Sequence, residues 1–229
     1  MNLDIDVGDG IGRVPGILAR PADARLLYVL AHGAGAGMRH RFMEAIAEVL
    51  AGLRIASLRY QFPYMVAGGR RPDPPAGLEA TVRAAVAAAT AAAPDLPLVA
   101  GGKSKGGRMT SSAVARAPLP DVRGLVFLGF PLHPAKRPSE RRAEHLDRVA
   151  PPMLFLQGTR DALAELDLIT EVCRRLGSRA TLHVVEGGDH SFAVLKRTGR
   201  SEGDVLEELG RAISEWSGRV PGLGVPDGR

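Results

Sequence analysis

The chain has 229 residues, of which 45% are hydrophobic and 24% are charged, a balance typical of one soluble globular domain. The net charge is +5, but the basic residues are scattered, and this argues against a nucleic-acid partner. No apolar stretch approaches the ~20 residues of a membrane span, and the acidic start "MNLDIDVGDG" lacks the order of a signal peptide. The single cysteine, Cys173, can form no internal disulfide, as is usual in a reducing compartment. Together these features lead us to expect a cytoplasmic protein without membrane association.

Short apolar runs alternate with helical patterns along the chain. The first 24 residues predict a weak hairpin or edge strands, and further strands are predicted at 25–33, 54–62, 96–102, 122–132, 151–159 and 181–188. Helices are predicted at 43–53, 77–93, 106–117, 164–177 and 203–218, and one short helix is expected in the polar connection "HPAKRPSERRAEHLDRV". Strands that are apolar on both faces and separated by helices predict an α/β fold, with a parallel sheet between helix layers. We expect a single domain over 1–218 and a flexible tail over 219–229, where glycine and proline recur.

A serine, an aspartate and a histidine follow three of the predicted strands. Ser104 follows the strand at 96–102, Asp161 follows the strand at 151–159, and His190 follows the last strand. Because ligands of parallel α/β sheets bind at the carboxyl ends of the strands, these side chains are expected to meet there. His190 would take the proton of the Ser104 hydroxyl, and Asp161 would orient the imidazole.

The segment "GGKSKGG" around Ser104 has the G-x-S-x-G pattern of a nucleophile on a strained strand-to-helix turn. The helix that starts after Ser104 would aim the Lys105 backbone N–H at a developing oxyanion, and the glycine-rich "HGAG" segment would supply Ala34 as a second donor. Two alternatives stay open. The segment could be a flexible glycine-rich turn without chemistry, and Asp189, next to His190, is a rival for the acid.

Six segments together resemble the α/β-hydrolases, and more narrowly the KANL/Tex-type hydrolase-like proteins related to the dienelactone hydrolases. The segments are "AHGAGAGM", "LRYQFPYM" followed by "GRRPDPP", "GGKSKGGRM", "GFPLHPAKRP", "LFLQGTRD" and "GGDHSF", and they span about residues 26 to 216. The resemblance implies an α/β-hydrolase fold whose mostly parallel sheet of about eight strands has a minimal cap domain or none. It also implies Ser104, Asp161 and His190 as the catalytic triad. The serine departs from the cysteine nucleophile of dienelactone hydrolases proper, so lactone specificity is not carried over.

The pocket is expected to use apolar and basic side chains near these strand ends. The substrate-binding candidates are Tyr60, Phe62, Tyr64 and His133. His32 is expected to fix the oxyanion loop. Several cations lie near the nucleophile or a neighbouring strand end, namely Lys103, Lys105, Arg108, Arg59, Arg70 and Arg71. They favour a substrate with a carboxylate or phosphate if they face the pocket, whereas long cationic side chains more often extend into solvent.

The sequence therefore predicts a serine hydrolase that cleaves small carboxylic esters or thioesters through an acyl-enzyme. No cofactor is implied, and no His, Cys, Asp or Glu spacing predicts a metal site. The expected partner is a small-molecule ester, and an anionic one if the basic side chains face the pocket. The alternative is a non-catalytic interaction protein on an α/β-hydrolase scaffold, since a fold alone does not determine function.

Overall fold

The protein is described by a computed structural model that covers residues 1–8, 10–69 and 71–223. Its strands are β1 (Asn2–Asp6), β2 (Arg13–Ala19), β3 (Leu26–Ala31), β4 (Ile55–Tyr60), β5 (Leu98–Lys103), β6 (Val122–Leu128), β7 (Met153–Gly158) and β8 (Ala180–Val185). They form one eight-stranded sheet in the order β1-β2-β4-β3-β5-β6-β7-β8. β1 and β2 form an antiparallel hairpin at one edge, and all pairings from β4 to β8 are parallel. The predicted α/β fold and edge hairpin are thus confirmed.

The α-helices of the described chain are α1 (Arg41–Gly52), α2 (Pro63–Val66), α3 (Pro75–Ala92), α4 (Lys105–Arg116), α5 (Leu166–Leu176) and α6 (Glu202–Arg219). The short α2 has no counterpart among the predicted helices, because four residues are too few for a helical period to be visible. A 3-10 helix, Arg141–Arg148, lies in the connection between β6 and β7. None of the described helices is both long and apolar enough to cross a membrane.

Alternate residues of the central strands pack into two separate cores. On β3, Leu27 and Val29 belong to the core that also holds side chains of α3, α4 and α5. Their neighbours Tyr28 and Leu30 belong to the core that holds side chains of α1 and α6. Since successive strand residues point to opposite faces, this division explains why both faces of the strand are apolar in sequence.

The packed part of the chain continues past residue 218, which corrects the predicted start of a flexible tail. Val220 is 7% exposed and Leu223 is fully buried, and both pack against the α1 and α6 core. Gly222, between them, adopts a positive φ of 77°, and the Leu223 N–H donates to the Val220 carbonyl. A turn after α6 thus returns apolar side chains to the core; residues 224–229 of the predicted tail lie outside the described residues.

The parallel strands bring the loops that carry functional candidates to one edge of the sheet. β5 lies at the centre, between β3 and β6, and β7 and β8 follow on the far side. The segment between β6 and β7 covers residues 129–152, and its regular element is the 3-10 helix Arg141–Arg148. The sheet edge at the end of β5 is therefore covered by loops rather than by a separate domain, as predicted.

Candidate active site

Ser104 occupies a sharp turn between β5 and α4. Its backbone has φ 51° and ψ −117°, a conformation that costs a non-glycine residue on the order of 1–3 kcal/mol. The turn is held because the Ser104 N–H donates to the Leu128 carbonyl at 3.1 Å, and the Arg108 N–H donates to the Ser104 carbonyl at 3.2 Å. The serine is therefore presented at the end of β5 and at the beginning of the helix.

Glycines flank the serine because backbone passes too close for a side chain. A Cβ at Gly102, where φ is 145°, would lie 2.2 Å from the Ala31 carbonyl oxygen. A Cβ at Gly106 would lie 2.5 Å from the His32 carbonyl oxygen. Both distances are below any normal carbon–oxygen contact, so the G-x-S-x-G spacing here has a steric cause.

A chain of hydrogen bonds links the three residues that the sequence order singled out. The Ser104 Oγ lies 2.8 Å from the His190 Nε2, and the His190 Nδ1 lies 2.8 Å from the Asp161 Oδ2. Asp161 is 3% exposed, whereas His190 retains part of its exposure. In this arrangement Nδ1 donates to the carboxylate, which leaves Nε2 to accept the proton of the serine hydroxyl.

The Asp161 carboxylate is held by two further donors. The Leu163 N–H donates to Oδ1 at 2.8 Å, and the Gln157 side-chain amide donates to Oδ2 at 2.5 Å. Gln157 is fully buried, and its Oε1 accepts from the Phe130 N–H at 3.0 Å. Sequence reasoning missed Gln157, although a lone polar residue in the apolar run "MLFLQG" was a signal for it.

The rival carboxylate, that of Asp189, accepts hydrogen bonds from the backbone of its own loop. Its Oδ1 accepts from the Ser191 N–H at 2.8 Å and from the Ala193 N–H at 2.9 Å. These bonds shape the loop that carries His190, but they turn the carboxylate toward the loop backbone. The geometry therefore favours Asp161 as the partner of His190.

The two backbone amides expected to bind an oxyanion lie on adjoining loops. Gly33 approaches the nucleophile so closely that a Cβ built on it would be 3.7 Å from the Ser104 Cβ. Within the described residues, neither the Ala34 N–H nor the Lys105 N–H donates a hydrogen bond to another part of the chain. Lys105 is the first residue of α4, where free N–H groups concentrate partial positive charge.

His32 fixes the loop that contains Ala34. Its Nδ1 lies 2.7 Å from the Gly33 carbonyl oxygen, and its Nε2 accepts from the Phe62 N–H at 3.1 Å. Burial lowers the pKa of His32, in keeping with a neutral ring that donates at one nitrogen and accepts at the other. This contact network agrees with the predicted structural role of His32.

The aromatic candidates Tyr60 and Phe62 lie in the core, which corrects their expected position on a pocket wall. Tyr60 is fully buried and Phe62 is 2% exposed, and their rings pack edge to face with centroids 5.4 Å apart. Tyr64 is also buried, but its hydroxyl accepts from the Gly35 N–H at 3.3 Å and so braces the loop beside Ala34. The sequence shows that all three side chains are aromatic, but it does not show which of them contacts the active-site loops.

His133 is buried too, although it is one of the residues that line the cavity between α4 and the connection after β6. Its side chain is fully buried, Nδ1 lies 2.9 Å from the Pro134 carbonyl oxygen, and Nε2 lies against the Glu165 carboxylate. The backbone N–H of His133 donates to the Leu163 carbonyl, so this residue ties the connection after β6 to the loop of Asp161.

Lys103 points inward rather than toward solvent or substrate. Its ammonium donates to the His190 carbonyl oxygen and lies 5.1 Å from the ring centroid of Phe192 and 5.8 Å from that of Phe42. Burial lowers the pKa of Lys103 to about 8, although the Asp161 and Asp189 charges oppose that shift. The lysine thus supports the loop that carries His190.

The other predicted cations divide between structural and exposed positions. Arg59 is 8% exposed and donates to the Met38 carbonyl oxygen, so it belongs to the support of the glycine-rich loop. Arg71 is exposed, and Arg70 lies outside the described residues. Lys105 and Arg108 lie in the first turn of α4, directly after Ser104, and both are half-buried.

The fold and the site together define a class of protein. A parallel α/β sheet that presents a serine on a strained strand-to-helix turn, with histidine and aspartate on later loops, is the arrangement of an α/β-hydrolase. Residues 24–218 match the family model described as an alpha/beta hydrolase domain, and the chain belongs to that family.

Solved structures with the same fold include several hydrolases. A serine hydrolase without a lid from Xanthomonas campestris is 20% identical, with a TM-score of 0.72 over 99% of this chain and 96% of that one. A dienelactone hydrolase from Anabaena variabilis is 21% identical, with a TM-score of 0.73 over 94% and 96% of the two chains. The esterase domain of a Rhodothermus marinus protein is 16% identical, with a TM-score of 0.70 over 96% and 98%. At these identities the likeness shows a common fold.

Proposed function

We propose that the protein is a serine hydrolase that cleaves small carboxylic esters or thioesters through a covalent acyl-enzyme. The observation that carries the proposal is the hydrogen-bonded chain from the Ser104 Oγ through His190 to the buried Asp161. Membership of the alpha/beta hydrolase family and the solved relatives that are esterases and hydrolases support the same class of reaction. The narrower resemblance to KANL/Tex-type proteins stays a prediction.

The first half of the reaction forms the acyl-enzyme. The Ser104 Oγ attacks the substrate carbonyl carbon while His190 Nε2 takes the hydroxyl proton, and the carbonyl electron pair moves onto the oxygen. The Ala34 and Lys105 amides donate hydrogen bonds to this oxyanion, a contribution worth about 3 kcal/mol for each donor. Collapse breaks the bond to the alcohol or thiol, which leaves with the proton from Nε2.

The second half regenerates the enzyme. Water attacks the acyl carbon as it gives a proton to His190 Nε2, and collapse of the second oxyanion returns that proton to the Ser104 Oγ and frees the carboxylic acid. Asp161 keeps Nδ1–H directed away from the substrate throughout, and its charge stabilises the imidazolium in both halves. Because loops and a 3-10 helix, without a separate cap domain, connect β6 to β7, an open site suited to small acyl groups is favoured.

Hydrolysis of 4-nitrophenyl acetate tests the proposed chemistry. We expect a pre-steady-state burst of nitrophenol, because acylation by an activated ester should outpace hydrolysis of the acyl-enzyme. Ser104→Ala should remove the burst, and Asp161→Asn should lower kcat by about 10³–10⁴-fold through loss of the histidine orientation. Ser178→Ala, at an exposed position in the 3-10 helix Gly177–Arg179 that follows α5, is the matched control and should keep the burst. Equal turnover by wild type and Ser104→Ala would show that Ser104 is not the nucleophile.

A further inference from the structure

A cavity of about 660 Å³ begins one helical turn along α4 from the nucleophile. It lies between α4, the connection after β6 and the 3-10 helix Arg141–Arg148. Four arginines line it, and Glu144 is the carboxylate among the lining side chains; the four are Arg108, Arg137, Arg141 and Arg142. We call this space the arginine pocket.

The arginines of this pocket lack protein counter-ions. Within the part of the chain that the structure describes, none of the four forms a salt bridge with a carboxylate. The Arg108 Nε is buried and has no hydrogen-bond partner among the same residues. The positive charge that lines the pocket is therefore not balanced by carboxylates of the described chain, and burial leaves one donor of Arg108 unsatisfied.

The charges in the arginine pocket act on one another. Burial lowers the pKa of Arg108, and the Arg142 charge lowers it further. Burial likewise lowers the pKa of Lys105, with added repulsion from Arg108 and Arg142 that Asp73 only partly opposes. Cations that repel each other in a partly buried space create a positive potential that an anion would relieve.

The neutral state of His145 in this pocket adds to the same picture. Burial, together with the charges of Arg108 and Arg148, lowers the pKa of His145 to about 4, against an opposing effect of Glu79. Its Nε2 lies 2.7 Å from the Ser111 Oγ, which keeps the ring against α4. The pocket therefore joins an uncharged imidazole to several charged guanidiniums.

The position of Arg108 relates the pocket to the reacting atoms. The Arg108 N–H donates to the Ser104 carbonyl oxygen at 3.2 Å, so Arg108 lies one helical turn, about 6 Å along the axis, after the nucleophile. Lys105 starts the same turn. On the other side, the Leu132 N–H donates to the Leu163 carbonyl and joins the pocket wall to the loop of Asp161.

We propose that the arginine pocket binds a carboxylate or phosphate group of the substrate, so that the protein prefers esters or thioesters that carry a second, anionic group several atoms away from the scissile bond. Guanidinium groups suit this role because their planar donors match the paired oxygens of both anions. Arg142 was missed in the sequence because it lies in the polar connection "SERRAEHLDRV", where basic residues read as solvated surface. The proposal about specificity rests on the proposed hydrolase function.

Two phenyl esters of one skeleton test the preference. Phenyl hydrogen adipate carries a free carboxylate at the far end of its acyl chain, and methyl phenyl adipate carries a neutral ester at the same place. We expect kcat/KM for phenol release to be about 10- to 100-fold higher for the anionic ester, the advantage of hydrogen bonds to a charged group. The ratio should fall as salt is added, because salt screens partly exposed charges.

Variants assign the preference to the pocket. Arg142→Met should lower the ratio of the two kcat/KM values by about tenfold, and Arg142→Glu should lower it further by repelling the substrate carboxylate. Arg123→Met, at an exposed position near the opposite end of β6, is the matched control and should keep the wild-type ratio. A ratio that stays at the wild-type value in Arg142→Glu, in a sample with normal melting, would overturn the proposal.

A binding measurement separates this proposal from the hydrolase function. Calorimetric titration of Ser104→Ala with adipate, and separately with inorganic phosphate, should detect binding of at least one anion that Arg142→Glu in the same background abolishes. The stronger of the two anions identifies the substrate group. Anion binding without any ester hydrolysis would support the anion site and contradict the proposed hydrolase function. Ester hydrolysis without anion binding or charge preference would support the hydrolase function and contradict the anion site.

Discussion

Lys103 is the residue whose role differs most from the one that its sequence position favours. It stands directly before the nucleophile, where a cation would be expected to meet substrate or solvent. Its ammonium instead contacts the His190 carbonyl and the faces of Phe42 and Phe192. The sequence placed Lys103 correctly at the end of a strand, but it could not predict that two aromatic rings from distant segments would enclose it.

This environment predicts a distinct pH dependence of stability. The folded-state pKa of Lys103 is about 8, below the ~10.4 of an unfolded lysine, so between these values the unfolded chain binds more protons. The contribution of Lys103 to the free energy of unfolding therefore rises with pH across this window. Relative to Lys103→Met, wild type should gain about 1–3 kcal/mol between pH 8 and pH 10.5.

Denaturant unfolding of both proteins at several pH values measures this difference, because titrations common to both cancel. Lys196→Met, an exchange at an exposed lysine, is the control and should keep a constant offset from wild type. A constant offset for Lys103→Met as well would mean that its ammonium is solvated in the folded protein.

At the scale of elements, the turn between β5 and α4 was the most predictable part of the site. The glycine spacing around Ser104, the apolar strand before it and the helix after it together predict the turn, and all three features are local in sequence. The arginine pocket was not predictable in this way. Its walls come from α4 and from a 3-10 helix that is distant in sequence, and a sequence pattern does not show which side chains of two such elements face each other.

Gly106→Ala tests the close approach of α4 to β3. The added methyl would lie 2.5 Å and 2.6 Å from the His32 and Ala31 carbonyl oxygens, so the helix must shift. We expect a loss of about 1–3 kcal/mol in the free energy of unfolding, together with a displaced Ser104 and reduced ester hydrolysis.

Gly218→Ala is the matched exchange on a helix without such a neighbour. It lies in the last turn of α6, is exposed and has nothing within 4 Å of the added methyl, so it should stabilise the protein by about 0.5–1 kcal/mol. Chemical denaturation of the two variants gives both values. An unchanged free energy of unfolding in Gly106→Ala would show that α4 can shift away from β3 without loss of stability.

For the whole molecule, the alternation of strands and helices was enough to predict the layers. Apolar runs such as "RLLYVLAHG" have no polar face, and that pattern indicates burial on both sides of a sheet. The number of strands was implied by the family resemblance, but their order in the sheet was not predicted, because strand neighbours are set by long-range contacts. The burial of Leu223 was missed because a short glycine- and proline-rich segment carries no periodic signal.

The assembled molecule brings Ser104, Asp161 and His190 from three loops into one hydrogen-bonded chain, and an activated serine is the central claim. Fluorophosphonate labelling tests it most directly, since the reagent bonds its phosphorus to the nucleophilic oxygen and releases fluoride. We predict labelling of folded wild-type protein and of Ser178→Ala, and none of Ser104→Ala. Wild-type protein that is folded but not labelled, or a Ser104→Ala variant labelled as strongly as wild type, would contradict the account.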